Sequence, residues 1–109
     1  MEPMIKVLVK EPGKPAVFKE IEDDLKSMQE LVNGHIEIVT INHDPEILLI
    51  CNEEGKLERL EANFATFRND FIVGNVFFAR GDDEGEIVGL EDGDLVIIQE
   101  LTGIGVETN

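Results

Sequence analysis

The sequence predicts an α+β fold. It is read as a mostly antiparallel sheet with one helix packed on it after the first hairpin, then a second hairpin and a short C-terminal helix. Three observations carry this expectation. Apolar runs of strand length, rich in Val, Ile, Leu and Phe, recur along the chain between turns containing Gly, Pro, Asn or Asp. Residues 25–32 place their apolar side chains at helical spacing instead. The 109 residues have the length of one domain, and a 42% apolar share is enough for a core. Residues 1–109 are therefore expected to form a single domain, its core built without Trp or Tyr.

The elements follow in order. "IKVLVK" (5–10) alternates Ile5, Val7 and Val9 with Lys6, Leu8 and Lys10, the period of a strand. "EPGK" (11–14) is turn chemistry, and "AVFKEI" (16–21) reads as the return strand. Asp23 or Asp24 can cap the helix that follows, on which Leu25, Met28, Leu31 and Val32 share a face. Asn33-Gly34 ends it, with Gly34 expected in the left-handed conformation. "HIEIVTI" (35–41) is a third strand, and His43-Asp44-Pro45-Glu46 is a loop. "ILLIC" (47–51) is apolar throughout and belongs inside the sheet.

"NEEGK" (52–56) is expected to be a short loop with Gly55 at positive φ, leading into a brief strand "LERL" (57–60). "EANFATFRND" (61–70) reads as irregular or a single helical turn. "FIVGNVFFAR" (71–80) is a strand bent at Gly74, "GDDEGE" (81–86) a turn and "IVGL" (87–90) a short partner strand. In the tail, "LVII" (95–98) has strand composition, whereas Leu95, Ile98 and Leu101 have helical spacing after Glu91, Asp92 and Asp94. Periodicity alone does not decide so short a run; the acids incline it to a helix over 91–101, ended by Gly103 or Gly105. The opening order β-β-α-β-β is that of a β-grasp, a fold-level analogy that carries no function by itself. The final "GVETN" lacks a Gly-Gly end and gives ubiquitin-style conjugation no support.

The segments "IKVLVKEPGKPAVFKEI", "MQELVNGHIEIV" and "LLICNEEGKLERLEAN" resemble a family of small uncharacterised bacterial domains of unknown function. Its members occur in Gram-positive gut bacteria, their phages and conjugative elements. The resemblance covers about residues 4–90, and the run from Cys51 to Leu57 is its most distinctive part. Where the family continues Asn-Arg-Ala, this chain has Asn63-Phe64-Ala65, so a role for a basic residue there loses its support. Members usually end in an acidic-capped helix, which implies the helical alternative for 91–101. The resemblance implies a phage or mobile-element setting and no activity.

Charge bounds the partners. Nine Lys and Arg against 24 Asp and Glu give −15, which excludes direct binding to DNA, RNA or an anionic membrane as an expectation, because phosphate contacts need cations. The acids either keep the surface solvated or form a face for a basic partner. The N-terminal "MEPMIKVLVKEPGK" lacks the pattern of a signal peptide, and no apolar run is long enough to cross a bilayer. The single cysteine excludes an internal disulfide and fits a cytoplasmic protein.

No catalytic set assembles. Cys51 with His35 or His43 is the only formal nucleophile-base pair, but it follows four apolar residues and precedes Glu53 and Glu54, whose charges disfavour a thiolate. It is expected to be structural. One Cys and two His without close pairs do not make a zinc site. In "GDDEGEIVGLEDGD" (81–94), Asp82, Asp83, Glu84 and Glu86 miss the register of a calcium loop. Gly103 and Gly105 have neither the helix nor the Lys of a phosphate loop, and the only serine, Ser27, lies within the helix. Arg59, Arg68 and Arg80 are expected to balance local acids. No cofactor and no metal are expected.

The reading is thus a non-enzymatic, acidic protein-interaction domain with an unidentified protein partner. The alternative is an acidic mimic of nucleic acid that occupies a basic groove; a cysteine-dependent enzyme ranks third. The candidate interaction surface is Asn52, Glu53 and Glu54 at the turn after the fourth strand, together with Asn63.

Overall fold

Alternation along the first strand divides its side chains between two cores. The computed structural model describes residues 3–65 and 71–107. In β1 (Met4–Lys10), Ile5, Val7 and Val9 face one side and pack with Met28, Val32, Leu48, Ile50, Phe77 and Ala79. Leu8 faces the other and packs with Ile47, Leu49, Val76, Phe78 and Ile98. One sheet thus carries an apolar layer on each face, as its period of two allows.

The remaining elements are β2 (Val17–Glu22), α1 (Leu25–Val32), β3 (Ile36–His43), β4 (Glu46–Asn52), β5 (Ala62–Ala65), β6 (Phe71–Val73), β7 (Val76–Gly81), β8 (Ile87–Val88) and α2 (Asp94–Thr102). The main sheet runs β2-β1-β7-β4-β3, with β8 paired to the end of β7, while β5 and β6 form a separate ribbon. All pairings between these strands are antiparallel. Helix α1 covers one face; α2 and the ribbon cover the other. This is the α+β, mostly antiparallel architecture that the sequence predicts, with its β-β-α-β-β opening. The β-grasp analogy ends there, because β7 lies between β1 and β4 and runs antiparallel to both.

Local chemistry explains the helices. Asp24 caps α1, its carboxylate accepting the Ser27 N–H at 2.7 Å, and Met28 and Val32 enter the core. The C-cap differs from expectation: Asn33, not Gly34, is left-handed, with φ 62°. Gly34 answers to space instead, since a Cβ there would lie 2.6 Å from Asn52 Nδ2. The tail is helical despite the strand composition of 95–98. Asp94 accepts the Glu91 N–H at 2.8 Å and closes the turn that starts α2, and Gly103 ends the helix. No helix among the described residues is long and apolar enough to cross a membrane.

Four local expectations change. Residues 57–60 are not a strand: 53–59 form one continuous turn, in which Glu58 N–H reaches Glu54 O and Leu60 N–H reaches Gly55 O. Its backbone groups are satisfied locally, so no partner strand is needed. Gly55 is not at positive φ; Arg59 is, at 56°. A Cβ on Gly55 would lie 2.9 Å from Val73 Cγ2, so crowding requires the glycine. Within 61–70, residues 62–65 are strand β5 rather than irregular or helical, while 66–70, including Arg68, lie outside the described residues. Finally, 71–80 is two strands, not one bent strand. Gly74, at φ 73°, separates β6 of the ribbon from β7 of the main sheet.

Candidate functional site

The end of β4, the turn after it and β6 enclose a cleft of about 250 Å³ on the α2 face of the sheet. Strand alternation populates it. Glu37 pairs with Cys51 and Val39 with Leu49, so Glu37, Val39 and Cys51 turn their side chains to one face. The turn adds Glu53, Lys56 and Leu57, and β6 adds Phe71, Ile72 and Val73. Leu57 is 84% exposed, Phe71 63% and Val39 38%, so a largely apolar rim stands in water. The carboxylates of Glu37 and Glu53 flank it.

Cys51 is half-buried in this cleft. Its sulfur lies 3.8 Å from the Glu37 carbonyl and 3.9 Å from Glu37 Oε1. Neither histidine lines the cleft: His35 precedes β3, and His43 sits in a separate polar depression with Asp44, Glu46, Arg80, Asp82 and Asp83.

The predicted surface residues separate into two kinds. Glu53 and Glu54 are exposed, as the sequence suggests. Asn52 is not: it is 6% exposed, and its amide donates to Val32 O and Asn33 O while its oxygen accepts the Glu54 N–H. It meets the carbonyls that end α1, which explains its burial beside a turn that looks polar. Asn63 is half-buried and joins three segments. Its oxygen accepts from Lys10 Nζ at 2.9 Å, and its amide donates to Lys10 O and Gly74 O, both at 2.8 Å. Burial pushes the Lys10 ammonium below its ordinary pKa.

Two acids of the 81–94 segment serve structure. Asp82 Oδ1 accepts from the N–H groups of Glu84 and Glu86 and closes the turn between β7 and β8. Asp94, 2% exposed, holds Arg80 through two hydrogen bonds of 3.0 and 2.8 Å. Burial alone would raise the Asp94 pKa, but the Arg80 hydrogen bonds, the Glu91 N–H and the Arg80 charge together bring it below its ordinary value. Arg80 is raised by the same pairing. Among the described residues, no group of three or more His, Cys, Asp or Glu is placed to hold a metal ion.

The family described as Domain of unknown function (DUF3846) matches residues 5–103. The chain belongs to the DUF3846 family. No curated protein and no solved structure matches it. The DUF3846 match extends past the segment that carries the sequence resemblance and ends at Gly103, the residue that terminates α2. It takes in every residue of the cleft, together with Asn52, Asn63 and the Arg80–Asp94 pair.

The cleft residues Glu37, Val39, Leu57 and Phe71 of this DUF3846 domain were not among those the sequence singles out. A signal existed for one of them: Leu57 is an apolar residue among charged ones in "NEEGKLER", and the brief strand read over 57–60 does not alternate apolar with polar residues to bury it. Phe71 and Val39 read as ordinary strand residues until the ribbon and the sheet edge place them.

Proposed function

We propose that this DUF3846 domain is a non-enzymatic protein-interaction domain that receives a basic protein partner at the cleft between β3–β4 and β6. The observation that carries the reading is the exposure of Val39, Leu57 and Phe71 around one cleft flanked by Glu37 and Glu53. Large apolar side chains gathered in water mark contact surfaces. Carboxylates around them, on a chain of net charge −15, attract a partner of opposite sign and repel acidic ones.

The rival readings have less support. A cysteine-dependent enzyme by a Cys-His pair needs a histidine at Cys51, and neither His35 nor His43 lines its cleft. Nucleic-acid mimicry needs a row of acids on one surface. Here exposed acids lie at opposite edges of the sheet, Glu20 and Glu22 on β2 and Glu37, Glu53 and Glu54 beside β3. A cytoplasmic setting, which the single cysteine fits, and a mobile-element setting, implied by the sequence resemblance, belong to the same proposal.

Photo-crosslinking tests it. Benzoylphenylalanine at position 57 or 71, irradiated in native host cells, is expected to give one discrete protein adduct. The same group at position 19, on the far edge, is expected to give none. Equal labelling from both edges, or an acidic protein as the adduct, overturns the reading.

A further inference from the structure

The form in which the partner arrives follows from the backbone of β3. In an antiparallel ladder, alternate residues bond the neighbouring strand and the others aim their N–H and C=O outward. Glu53 N–H donates to His35 O at 2.8 Å, and the register pairs Ile36 with Asn52, Glu37 with Cys51 and Ile38 with Ile50. The residues that bond β4 are therefore Glu37 and Val39. The N–H and C=O groups of Ile36, Ile38 and Thr40 point away from the sheet. β3 ends the strand order, and no described strand pairs with this side. The row stops where the register shifts between Thr40 and Asn42.

The opposite edge is guarded along its length, whereas this one is interrupted only by the exposed Glu37 and the shift after Thr40. At β2, the tail takes up Ala16: its N–H donates to Gly105 O, and Glu107 N–H donates to its carbonyl. The rest of that edge carries the charged Lys19, Glu20 and Glu22, which discourage strand addition. Along β3 the outward-bonding residues are uncharged, and Ile38 is 48% exposed.

We propose that β3 accepts an extended segment of the basic partner as an added strand, hydrogen bonded to Ile36, Ile38 and Thr40. This rests on the reading of the domain as a receiver of a basic protein. Charge chooses between occupants. Half of the added side chains fall on the cleft face, beside Glu37 and near Glu53; these two carboxylates outnumber Lys56 in the lining, so Lys or Arg is favoured. A second copy of this chain would bring another −15 and its own Glu37 to the same edge. Main-chain hydrogen bonds supply the register, and alternate side chains supply the selection.

Amide exchange followed residue by residue by NMR tests the proposal, with a short peptide of alternating lysine and valine as the probe. The peptide is expected to slow exchange at Ile36, Ile38 and Thr40 by about tenfold or more. The amides of Glu37 and Val39, already bonded to β4, stay as they were. A glutamate–valine peptide, or the lysine–valine peptide N-methylated at alternate residues, gives no slowing. Three outcomes overturn the proposal. One is absence of slowing at peptide concentrations up to about a millimolar. Another is binding that leaves these amides unprotected, in which case adducts from position 57 or 71 still uphold the cleft reading. The third is slowing that grows with protein concentration without peptide, which makes a second copy the occupant.

Discussion

The side-chain amide of Asn52 donates to the main-chain oxygen of Asn33 at 3.1 Å and to that of Val32 at 3.2 Å. These carbonyls end α1 and have no partner within the helix. The Asn52 oxygen accepts the Glu54 N–H at 2.8 Å, so one side chain fixes the end of α1, the end of β4 and the start of the cleft turn. Asn52→Ala leaves these groups without their partner and is expected to cost about 2–3 kcal/mol. Asn52→Asp is expected to cost more, because it turns an acceptor toward two carbonyls. Urea unfolding checks both; an Ala variant within about 0.5 kcal/mol of the parent would contradict the account.

Gly34 and Asn52 should behave as one unit. A Cβ on Gly34 would lie 2.6 Å from Asn52 Nδ2, and Gly34 itself has an ordinary negative-side backbone that alanine tolerates. Gly34→Ala is therefore expected to destabilise through Asn52 alone, by about 1–3 kcal/mol. In the Asn52→Ala background the same substitution is expected to be nearly neutral. A double-mutant cycle with a coupling energy above about 1 kcal/mol supports this, and additive costs refute it.

These two residues also show where sequence reasoning stops. The apolar patterns of β1, β4 and α1 are local signals, and these elements stand where they are read; the cap, read as Asp23 or Asp24, is Asp24, and the stop, read as Gly103 or Gly105, is Gly103. Gly34 and Gly55 are recognisable as necessary glycines, but the sequence suggests φ as the reason. The reason is a neighbour far along the chain, Asn52 in one case and Val73 in the other. Asn52 sits at a polar turn and reads as exposed; only the carbonyl ends of α1, brought to it by the β3–β4 pairing, explain its burial. The cleft is less legible still. Its apolar rim joins β3, a turn and β6, and no periodicity predicts that three such pieces meet.

Asn63 should govern the attachment of the β5–β6 ribbon. It bonds Lys10 from both ends and also holds Gly74 O, at the corner where the ribbon leaves for β7. Lys10 is buried, and its ammonium also donates to Glu11 O at 2.8 Å. Asn63→Ala removes an acceptor from a buried cation and the donor from two carbonyls, with an expected loss of about 2–3 kcal/mol. The loss should be partly local. Amides of Ile72 and Val73 should exchange faster in the variant by a larger factor than those of Phe77 and Phe78 in the main sheet. Uniform acceleration across both groups would mean that Asn63 serves the whole fold and not the ribbon.

Asp94 and Arg80 should set much of the acid sensitivity. The folded-state pKa of Asp94 lies below its ordinary 3.8, because Arg80 and the Glu91 N–H outweigh the cost of burial. The folded protein thus binds that proton less readily than the unfolded chain does. Its contribution to stability is present in full above about pH 4 and is lost as pH falls through the lowered value. Asp24, held down by the Ser27 N–H, acts with the same sign. Glu91, 3.2 Å from Arg80 Nη1 but exposed, adds little. Asp94→Asn leaves the Arg80 guanidinium without its buried counter-charge, at an expected cost of about 3 kcal/mol at neutral pH. As pH falls below about 4, the parent loses the same interaction by protonation. The unfolding curves of parent and Asp94→Asn, measured in urea from neutral pH downward, should therefore converge in acid. A stability difference that stays constant across that range would show that the pair acts through shape and hydrogen bonding, with no part for the charge.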